Sequence, residues 1–302
     1  MTPALPAGVE VIVRDWLTAN HVLLADGPDC VLVDAGHVTT AATTVELLRA
    51  QLAGRRLREV MLTHAHSDHM GGCARLRREF GCGIAVPAGA AEVLRAWDTA
   101  ALWLDMAMQQ AEPFAFERTL AAGEVLELGG RRWEALAAPG HDMDALAFWC
   151  PAEGVLLSGD ALWRRSLGVV LPGPGWRDRI ACARDTLDRF AALPVRVVVP
   201  GHGAPFREVD DAIAICRARL DALGDERRLA RHALRVMVVY LMLERGPQPA
   251  DSARRLVASM PLVHLYADTY FDAEPAALTG QVVDDLLAQG ALLEADGLLR
   301  AG

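Results

Sequence analysis

The chain has 302 residues, a formal net charge of −9 and a pI near 5.5, and all 30 of its basic residues are arginine. A protein without lysine cannot be a Schiff-base enzyme, a P-loop nucleotide-binding protein, a protein kinase or a Ser-x-x-Lys acyl enzyme. The acidic balance also disfavours proteins that track nucleic-acid phosphates. Hydrophobic residues make up 52% of the chain and charged residues 23%, which is typical of a globular protein with a sizeable core.

The sequence favours a reducing, intracellular compartment. The segment Met1–Arg14 has no basic n-region, and Gly8 and Glu10 interrupt its short apolar stretch. A run of about 18 apolar residues, the length that spans a membrane, does not occur. The six cysteines are scattered without a C-x-x-C pair, which is typical of buried thiols. We therefore predict a cytoplasmic protein without a membrane partner.

The first 224 residues alternate predicted strands with predicted helices. Short apolar runs bounded by turn residues predict strands at Val9–Arg14, His21–Ala25, Cys30–Val33, Leu57–Leu62, Gly83–Val86, Val125–Leu128, Arg132–Ala137, Leu146–Cys150, Val155–Leu157 and Val195–Val199. Helices are predicted at Thr39–Leu52, Asp68–Phe80 (capped by Ser67), Ala90–Gln110, Arg177–Ala192 and Val209–Leu223. This order lacks a regular βαβ repeat and favours an α/β protein with two sheets, each covered by helices.

The pattern changes at Gly224-Asp225. Beyond it the sequence predicts three helices and a terminal hairpin with its turn at Asp296-Gly297; the helices span Arg227–Glu244, Ala250–Ser259 and Pro275–Gln289. This order is typical of a winged-helix module. We therefore predict two domains, a larger one over residues 1–224 and a winged-helix-like one over residues 225–302.

The residues with the clearest chemistry lie in Thr63-His64-Ala65-His66-Ser67-Asp68-His69-Met70-Gly71-Gly72. Four potential metal ligands fall within six residues, after a predicted buried strand. Because side chains two apart in an extended segment point the same way, His64 and His66 can hold one ion. The following helix directs Asp68 and His69 at a second point. The two glycines allow the backbone to pass closely.

Three further segments each place a histidine or an aspartate beside a glycine at the end of a predicted strand. They are Ala138-Pro139-Gly140-His141-Asp142, Ser158-Gly159-Asp160 and Val199-Pro200-Gly201-His202-Gly203. Each segment is a weak signal by itself, since Pro-Gly-His is commonly a turn. Loops at the carboxyl ends of strands are where a site shared between separated segments is built, so the four segments together predict one metal site.

In this order, the four segments resemble the motifs of the metallo-β-lactamase superfamily over Val9–Leu223. The resemblance implies an αββα sandwich with a small C-terminal winged-helix-like helical domain. It implies that His64, His66 and His141 hold one metal ion. It implies that Asp68, His69 and His202 hold a second, and that Asp160 bridges both. Imidazole and carboxylate ligands favour two Zn²⁺ ions, with iron or manganese as alternatives.

The resemblance also implies a hydrolytic mechanism. Two such ions lower the pKa of a shared water toward about 7, which supplies hydroxide for attack on an ester, thioester, amide or phosphoryl centre. Asp68 is the predicted proton shuttle to the leaving group. Asp34, within Leu32-Val33-Asp34-Ala35-Gly36, is the predicted catalytic aspartate behind the metal histidines; the alternative is an ordinary strand-ending turn.

Aromatic and sulfur side chains near the motifs suggest an apolar substrate. The predicted pocket residues are Trp97, Trp103, Met106, Trp163 and Trp176. Ordinary core packing is the alternative explanation. On the functional interpretation, the substrate is a small-molecule ester or thioester with an apolar acyl part, as for an acyl thioesterase.

Three alternatives remain open from the sequence. A winged-helix-like appendage occurs in superfamily members with endoribonuclease activity, so a single-strand endoribonuclease or phosphodiesterase is the second interpretation. Residues 225–302 contain 11 acidic and eight basic residues, however, which disfavours nucleic acid as a partner. The segment would then form a pocket wall or a homodimer contact. A mononuclear-iron persulfide dioxygenase uses a subset of the same ligands, and a metal-dependent regulator would need no catalysis.

Overall fold

The computed structural model describes residues 3–302, which fold into two compact units. The first unit consists of the residues up to Asp98 together with Gln110–Gly168 and Arg177–Asp221. The second consists of Thr99–Gln109, Val169–Trp176 and Ala222–Gly302. Two segments from the first 224 residues therefore pack with the C-terminal segment.

The first unit contains two mixed β-sheets. Six strands form the first sheet in chain order: β1 Val9–Ile12, β2 His21–Asp26, β3 Asp29–Val33, β4 Arg56–Met61, β5 Gly83–Pro87 and β6 Arg118–Leu120. Five strands form the second, also in chain order: β7 Val125–Leu128, β8 Arg131–Ala137, β9 Leu146–Cys150, β10 Val155–Gly159 and β11 Val197–Pro200. Strands β3 to β6 are parallel, as are β10 and β11, and the other pairs are antiparallel.

The core of this unit lies between the two sheets. Alternate side chains of each sheet point into it, among them Val31 and Val33 from β3 and Phe148 from β9. Leu23 and Leu32 point to the opposite face and are equally buried, so both faces of the first sheet are covered. The structure thus has the predicted αββα architecture.

Helices cover the outer faces of the sheets in the first unit. They are α1 Ala41–Leu52, α2 Ser67–Met70, α3 Cys73–Phe80, α4 Ala91–Ala96, α6 Trp176–Ala191 and α7 Val209–Ala222, with a 3₁₀ turn at Val38–Thr40. Helix α6 shows how the sequence specifies this packing. Its buried residues Ile180, Ala183, Leu187 and Phe190 recur at helical spacing, while arginine and aspartate occupy the other face.

The second unit is mainly helical. Its helices are α5 Leu104–Ala107, α8 Glu226–Arg245, α9 Ala250–Ala258, α10 Pro261–Tyr266 and α11 Pro275–Ala288, with a π-helical turn at Ala267–Phe271. Three short strands form its sheet in the order β12, β14, β13: β12 Gln248–Pro249, β13 Leu292–Ala295 and β14 Leu298–Ala301. Asp225 caps α8 by accepting a hydrogen bond from Arg228 N. The predicted helices and terminal hairpin are present, and the winged-helix name stays a prediction.

The structure corrects the predicted helix over Ala90–Gln110. Only α4 and α5 are helical within it, because Trp97 and Trp103 take left-handed φ angles of 49° and 61°. Left-handed backbone cannot continue a right-handed helix, and for tryptophan it is strained. The composition favoured a helix here, but the tertiary structure of the segment outweighs that propensity.

The predicted helix with Ser67 as its cap is also wrong in detail. His66 is the N-terminal cap of α2, without a capping hydrogen bond from its side chain, and Ser67 is already helical. Gly71 and Gly72 separate α2 from α3. Strand β6, helix α10 and the π-helical turn were not predicted, since each is too short to give a periodic pattern. Over residues 3–302, no helix combines the length and apolar character needed to cross a bilayer.

We expect Gly72→Ala to lower the free energy of unfolding by about 1–3 kcal/mol, measured by urea unfolding. A Cβ atom at this position would lie 2.2 Å from the carbonyl oxygen of Ala35. Gly83→Ala is the matched control in the same unit, since its Cβ would meet no atom closer than 3.6 Å. Equal effects of the two substitutions would contradict a close backbone approach at Gly72.

Candidate metal centre

Strand directions bring the predicted ligands to one edge of the sandwich. Strands β3 and β4 are parallel and lead into Asp34 and His64. Strands β8, β10 and β11 share one direction and lead into His141, Asp160 and His202. The two edges meet at Thr63, whose carbonyl oxygen accepts a hydrogen bond of 2.8 Å from Leu146 N at the start of β9.

The first group of potential ligands is His64, His66 and His141, whose ligand atoms lie within 4.8 Å of one another. His66 Nδ1 and His141 Nε2 are 2.8 Å apart. His64 is buried, and its Nε2 has no hydrogen-bond partner among the described residues. An orphaned nitrogen inside a histidine cluster is costly unless a cation occupies the cluster, so this group fits a metal ion.

The second group is Asp68, His69, Asp160 and His202, again with ligand atoms within 4.8 Å of one another. All four side chains are buried. His202 Nε2 lies 2.9 Å from Asp68 Oδ2, and His69 Nε2 lies 3.3 Å from Asp160 Oδ1. Two imidazoles and two carboxylates are a suitable donor set for zinc, iron or manganese.

Asp160 faces both groups. Its Oδ1 is directed at His69, and its Oδ2 lies 3.6 Å from His141 Nε2 in the first group. The indole N–H of Trp163 donates a hydrogen bond of 3.1 Å to Oδ1. The carboxylate is therefore oriented from outside by an aromatic residue, while its two oxygens point toward different histidine groups.

Asp34 is buried behind the second group. Its carboxylate accepts hydrogen bonds from Thr63 N at 2.8 Å and Thr63 Oγ1 at 2.9 Å, and its Oδ2 lies 2.8 Å from His69 Nδ1. A carboxylate on one ring nitrogen orients the other nitrogen of a metal histidine. Asp34 has a φ of 62°, a conformation that aspartate tolerates better than most residues.

His21, which the sequence analysis did not select, is hydrogen-bonded to the backbone of Asp34. Its Nδ1 donates to the Asp34 carbonyl oxygen at 3.0 Å, because Arg14 Nη1 donates to its Nε2 at 2.8 Å and so fixes the tautomer. Burial and the nearby Arg14 charge lower the pKa of His21 to about 3. The ring therefore stays neutral at physiological pH. Its only sequence signal is a polar residue that begins an apolar strand.

The electrostatics of the centre favour a cation. Burial alone would raise the pKa of Asp160, but His69 and His202 lower it to about 2. Burial likewise opposes ionisation of Asp68, yet the same two histidines hold its pKa well below the usual range. Burial lowers the pKa of His69, whereas Asp34, Asp160 and Asp68 raise it well above its ordinary value. Buried carboxylates thus concentrate negative potential where a metal ion would add positive charge.

Gly168 and Gly201 leave space next to the backbone for the side chains of two metal ligands. A Cβ on Gly168 would lie 2.5 Å from the His141 ring, and one on Gly201 would lie 2.2 Å from Asp160 Oδ1. Gly201 N also donates to Gly159 O at 2.8 Å, which ties the ends of β10 and β11 together. Space at a ligand thus explains why glycine precedes His202 and why glycine stands at position 168.

The predicted pocket residues are dispersed. Trp163 contacts Asp160, as described above. Trp97 is half-buried against Phe114, with ring centroids 5.9 Å apart. Trp103 and Met106 pack against the hydrophobic core of the second unit, and Trp176 is the first residue of α6.

Trp16 is an aromatic residue of this region that the sequence analysis missed. It is 53% exposed, follows β1, and stacks on the His202 ring with centroids 5.6 Å apart and planes inclined by 9°. A tryptophan in a loop between two predicted strands was the available signal. Only the folded structure places it next to a histidine 186 positions away along the chain.

The family model described as the metallo-beta-lactamase superfamily matches residues 14–202. Among curated proteins, the hydroxyacylglutathione hydrolase of Methylococcus capsulatus is 28% identical over 194 residues, which are 63% of this chain and 64% of that protein. The chain thus spans slightly less than two thirds of the length of this relative.

Two solved structures share the fold over nearly the whole chain. A metallo-beta-lactamase family protein from Thermus thermophilus has a TM-score of 0.57 and 23% identity, covering 99% of this chain and 100% of its own. A beta-lactamase domain protein from Burkholderia ambifaria has a TM-score of 0.59 and 22% identity, covering 100% of this chain and 93% of its own. With the αββα sandwich, the two ligand groups and a matching family model over more than half its length, the chain belongs to the metallo-beta-lactamase superfamily.

Proposed function

We propose that this protein is a binuclear metal-dependent hydrolase of small-molecule esters or thioesters. The observation that carries the proposal is the pair of buried ligand groups with Asp160 directed at both. His64, His66 and His141 would hold one ion. Asp68, His69 and His202 would hold the other, with Asp160 between them. Two Zn²⁺ ions are the proposed occupants, and iron or manganese suits the same donors.

When bound, the metal ions supply Lewis-acid polarisation of the substrate carbonyl and acidify the attacking water. Two carboxylates of the chain have separate roles: Asp34 orients a metal histidine, and Asp68 carries a proton. Asp34, fixed by Thr63, holds the Nδ1 proton of His69 and so directs His69 Nε2 at the second group, where it would bind a metal ion in place of a proton. The buried ionised Asp68 would accept the proton released by the attacking water and pass it to the leaving group as the C–O or C–S bond breaks.

The proposed substrate is a thioester in the first instance. The relative from Methylococcus capsulatus is named for hydrolysis of hydroxyacylglutathione, which is an acyl thioester. An apolar acyl part is the finer proposal, and it rests on the aromatic residues near the centre. We further propose that the protein acts in the cytoplasm and that residues 1–224 and 225–302 are separate domains, apart from Thr99–Gln109 and Val169–Trp176, which pack with the second.

Metal analysis of the purified protein should find about two ions per chain. His66→Ala and Asp160→Ala should each lose at least one ion, because each removes a donor from the groups described above. Elemental analysis by mass spectrometry measures both values. Asp188→Ala, which changes an exposed helical aspartate, is the control. One iron ion per chain with uptake of dioxygen would contradict the hydrolase and favour a persulfide dioxygenase.

A parallel assay tests the reaction itself. Acyl-CoA, acyl-glutathione, a lactone, bis(p-nitrophenyl) phosphate and single-stranded RNA are offered to the metal-loaded protein and to Asp160→Ala. Thioester turnover that Asp160→Ala abolishes is the expected result. Turnover of RNA alone, again abolished by Asp160→Ala, would replace the proposed function by a nuclease.

Asp68→Asn should lower kcat for thioesters by about 10²-fold or more, because an amide cannot accept and pass on the proton. The metal content of the same sample must be measured, since the amide is also a weaker ligand. Full activity in a variant that keeps both ions would exclude the shuttle role.

Asp34→Asn should weaken metal binding about 10- to 100-fold while leaving the fold intact. Replacing a group that is hydrogen-bonded to a metal-binding histidine lowers metal affinity by about this factor. Asparagine also tolerates the left-handed backbone at this position. Competition with a chromophoric chelator measures the affinity, and Asp188→Asn is the matched control. Unchanged affinity would reduce Asp34 to a structural turn residue.

A further inference from the structure

A pocket of about 410 Å³ lies beside the second ligand group. Three loops of the first unit line it: the loop after β1 with Trp16, the loop after β10 with Trp163 to Ser166, and the loop after β11 with His202 to Pro205. His202 belongs both to the pocket wall and to the ligand group. A molecule in the pocket therefore lies directly against the proposed reaction centre.

Aromatic rings form much of the pocket wall. Trp16 stacks on His202, and Trp163 meets both rings edge-on, at centroid distances of 5.4 Å and 5.2 Å. An exposed tryptophan held in this way offers a rigid apolar surface to a ligand. The wall thus suits an apolar or flat carbon skeleton.

Arg164 and Arg165 add positive charge to the pocket, but they differ in pairing. Arg164 Nη1 forms an ion pair of 2.8 Å with Glu208 Oε2, which offsets its charge. Arg165 is exposed and forms no ion pair with the described residues. One guanidinium is therefore available to a ligand, and a guanidinium binds a carboxylate through two parallel hydrogen bonds.

The loop that carries Arg165 is fixed before any ligand arrives. Trp163 N donates to Ser166 O at 2.8 Å, and Gly168 N donates to Asp160 O at 2.7 Å. From below, the buried Cys216 thiol of α7 donates to the same Ser166 oxygen at 2.9 Å. A preformed pocket loses little conformational entropy on binding.

We propose that this pocket binds a carboxylate carried on an apolar or aromatic skeleton, and that Arg165 and Trp16 thereby select anionic thioesters. The inference rests on the proposed function for its identification of the ligand as part of a substrate. A cation, which aromatic walls alone would attract, is opposed by the unpaired guanidinium of Arg165. A single unpaired guanidinium matches the single charge of a carboxylate better than the double charge of a phosphate monoester.

Two matched pairs of thioesters test the selection. The first pair is the 3-phenylpropanoyl thioester of 3-mercaptopropionate and that of 3-mercaptopropionamide. The second pair carries the carboxylate or carboxamide on the phenyl ring and uses a neutral thiol. We expect the metal-loaded wild type to favour the carboxylate in one pair by about 10-fold in kcat/KM, the size of one charge-assisted contact. The preferred pair identifies which side of the scissile bond occupies the pocket.

Arg165→Gln should abolish this preference by lowering kcat/KM for the carboxylates about 10-fold, to the level of the matching carboxamides. Arg132→Gln, at an exposed arginine on β8, is the control and should retain the preference. An undiminished carboxylate preference in Arg165→Gln would overturn the inference while leaving the hydrolase established. The absence of any preference in the wild type would overturn it as well.

Calorimetric titration separates failure of this inference from failure of the proposed function. Metal-loaded wild type and Arg165→Gln are titrated with 3-phenylpropanoate and with 3-phenylpropanamide. About 10-fold weaker binding of the carboxylate alone in Arg165→Gln supports the pocket even if no thioester is turned over, an outcome that would contradict only the hydrolase. Equal carboxylate binding by the two proteins would overturn the pocket assignment.

Discussion

Thr63 joins the two sheets where the candidate metal centre begins. Its carbonyl oxygen accepts the first amide of β9, and its amide and hydroxyl donate to the Asp34 carboxylate at the end of β3. A Cβ on Gly159, at the end of β10, would come within 3.1 Å of it. Three strand ends are thus fixed around one residue, and His64 follows it directly. The positions of the ligands depend on this junction because each ligand lies within a few residues of a strand end.

Pairing of aspartate with histidine explains why the candidate metal centre needs only these two residue types. Asp34, Asp68 and Asp160 are all buried, and each faces a histidine rather than an arginine. Histidine can exchange its proton for a metal ion, whereas arginine cannot. Arginine stays outside the ligand groups: Arg14 contacts His21 behind Asp34, and Arg165 is exposed in the adjoining pocket. The proposed chemistry needs histidine, aspartate, metal and water, so a chain without lysine loses nothing from it.

Much of the fold and the candidate site was predictable because the signals are local. The strand Val155–Gly159 is buried along its whole length, and its continuous apolar run Val155–Leu157 identified it. The ligand cluster after β4 is contiguous, so its residue types alone indicated a metal. Local signals failed over Ala90–Gln110, where the composition of a helix is present but Trp97 and Trp103 turn the backbone left-handed.

The sequence by itself determined which residue types stand at the strand ends, since apolar patterns and short motifs act over a few residues. Only the tertiary structure decided which of them meet. Asp34 contacts His69 across 35 positions and His202 contacts Asp68 across 134, distances over which no periodicity carries information. The Trp16 pocket arises in the same way, from the packing of three loops far apart in the chain. Each strand has a fixed register and direction in its sheet, which sets where the residues after its end lie. Close packing of the folded chain then brings these residues into contact.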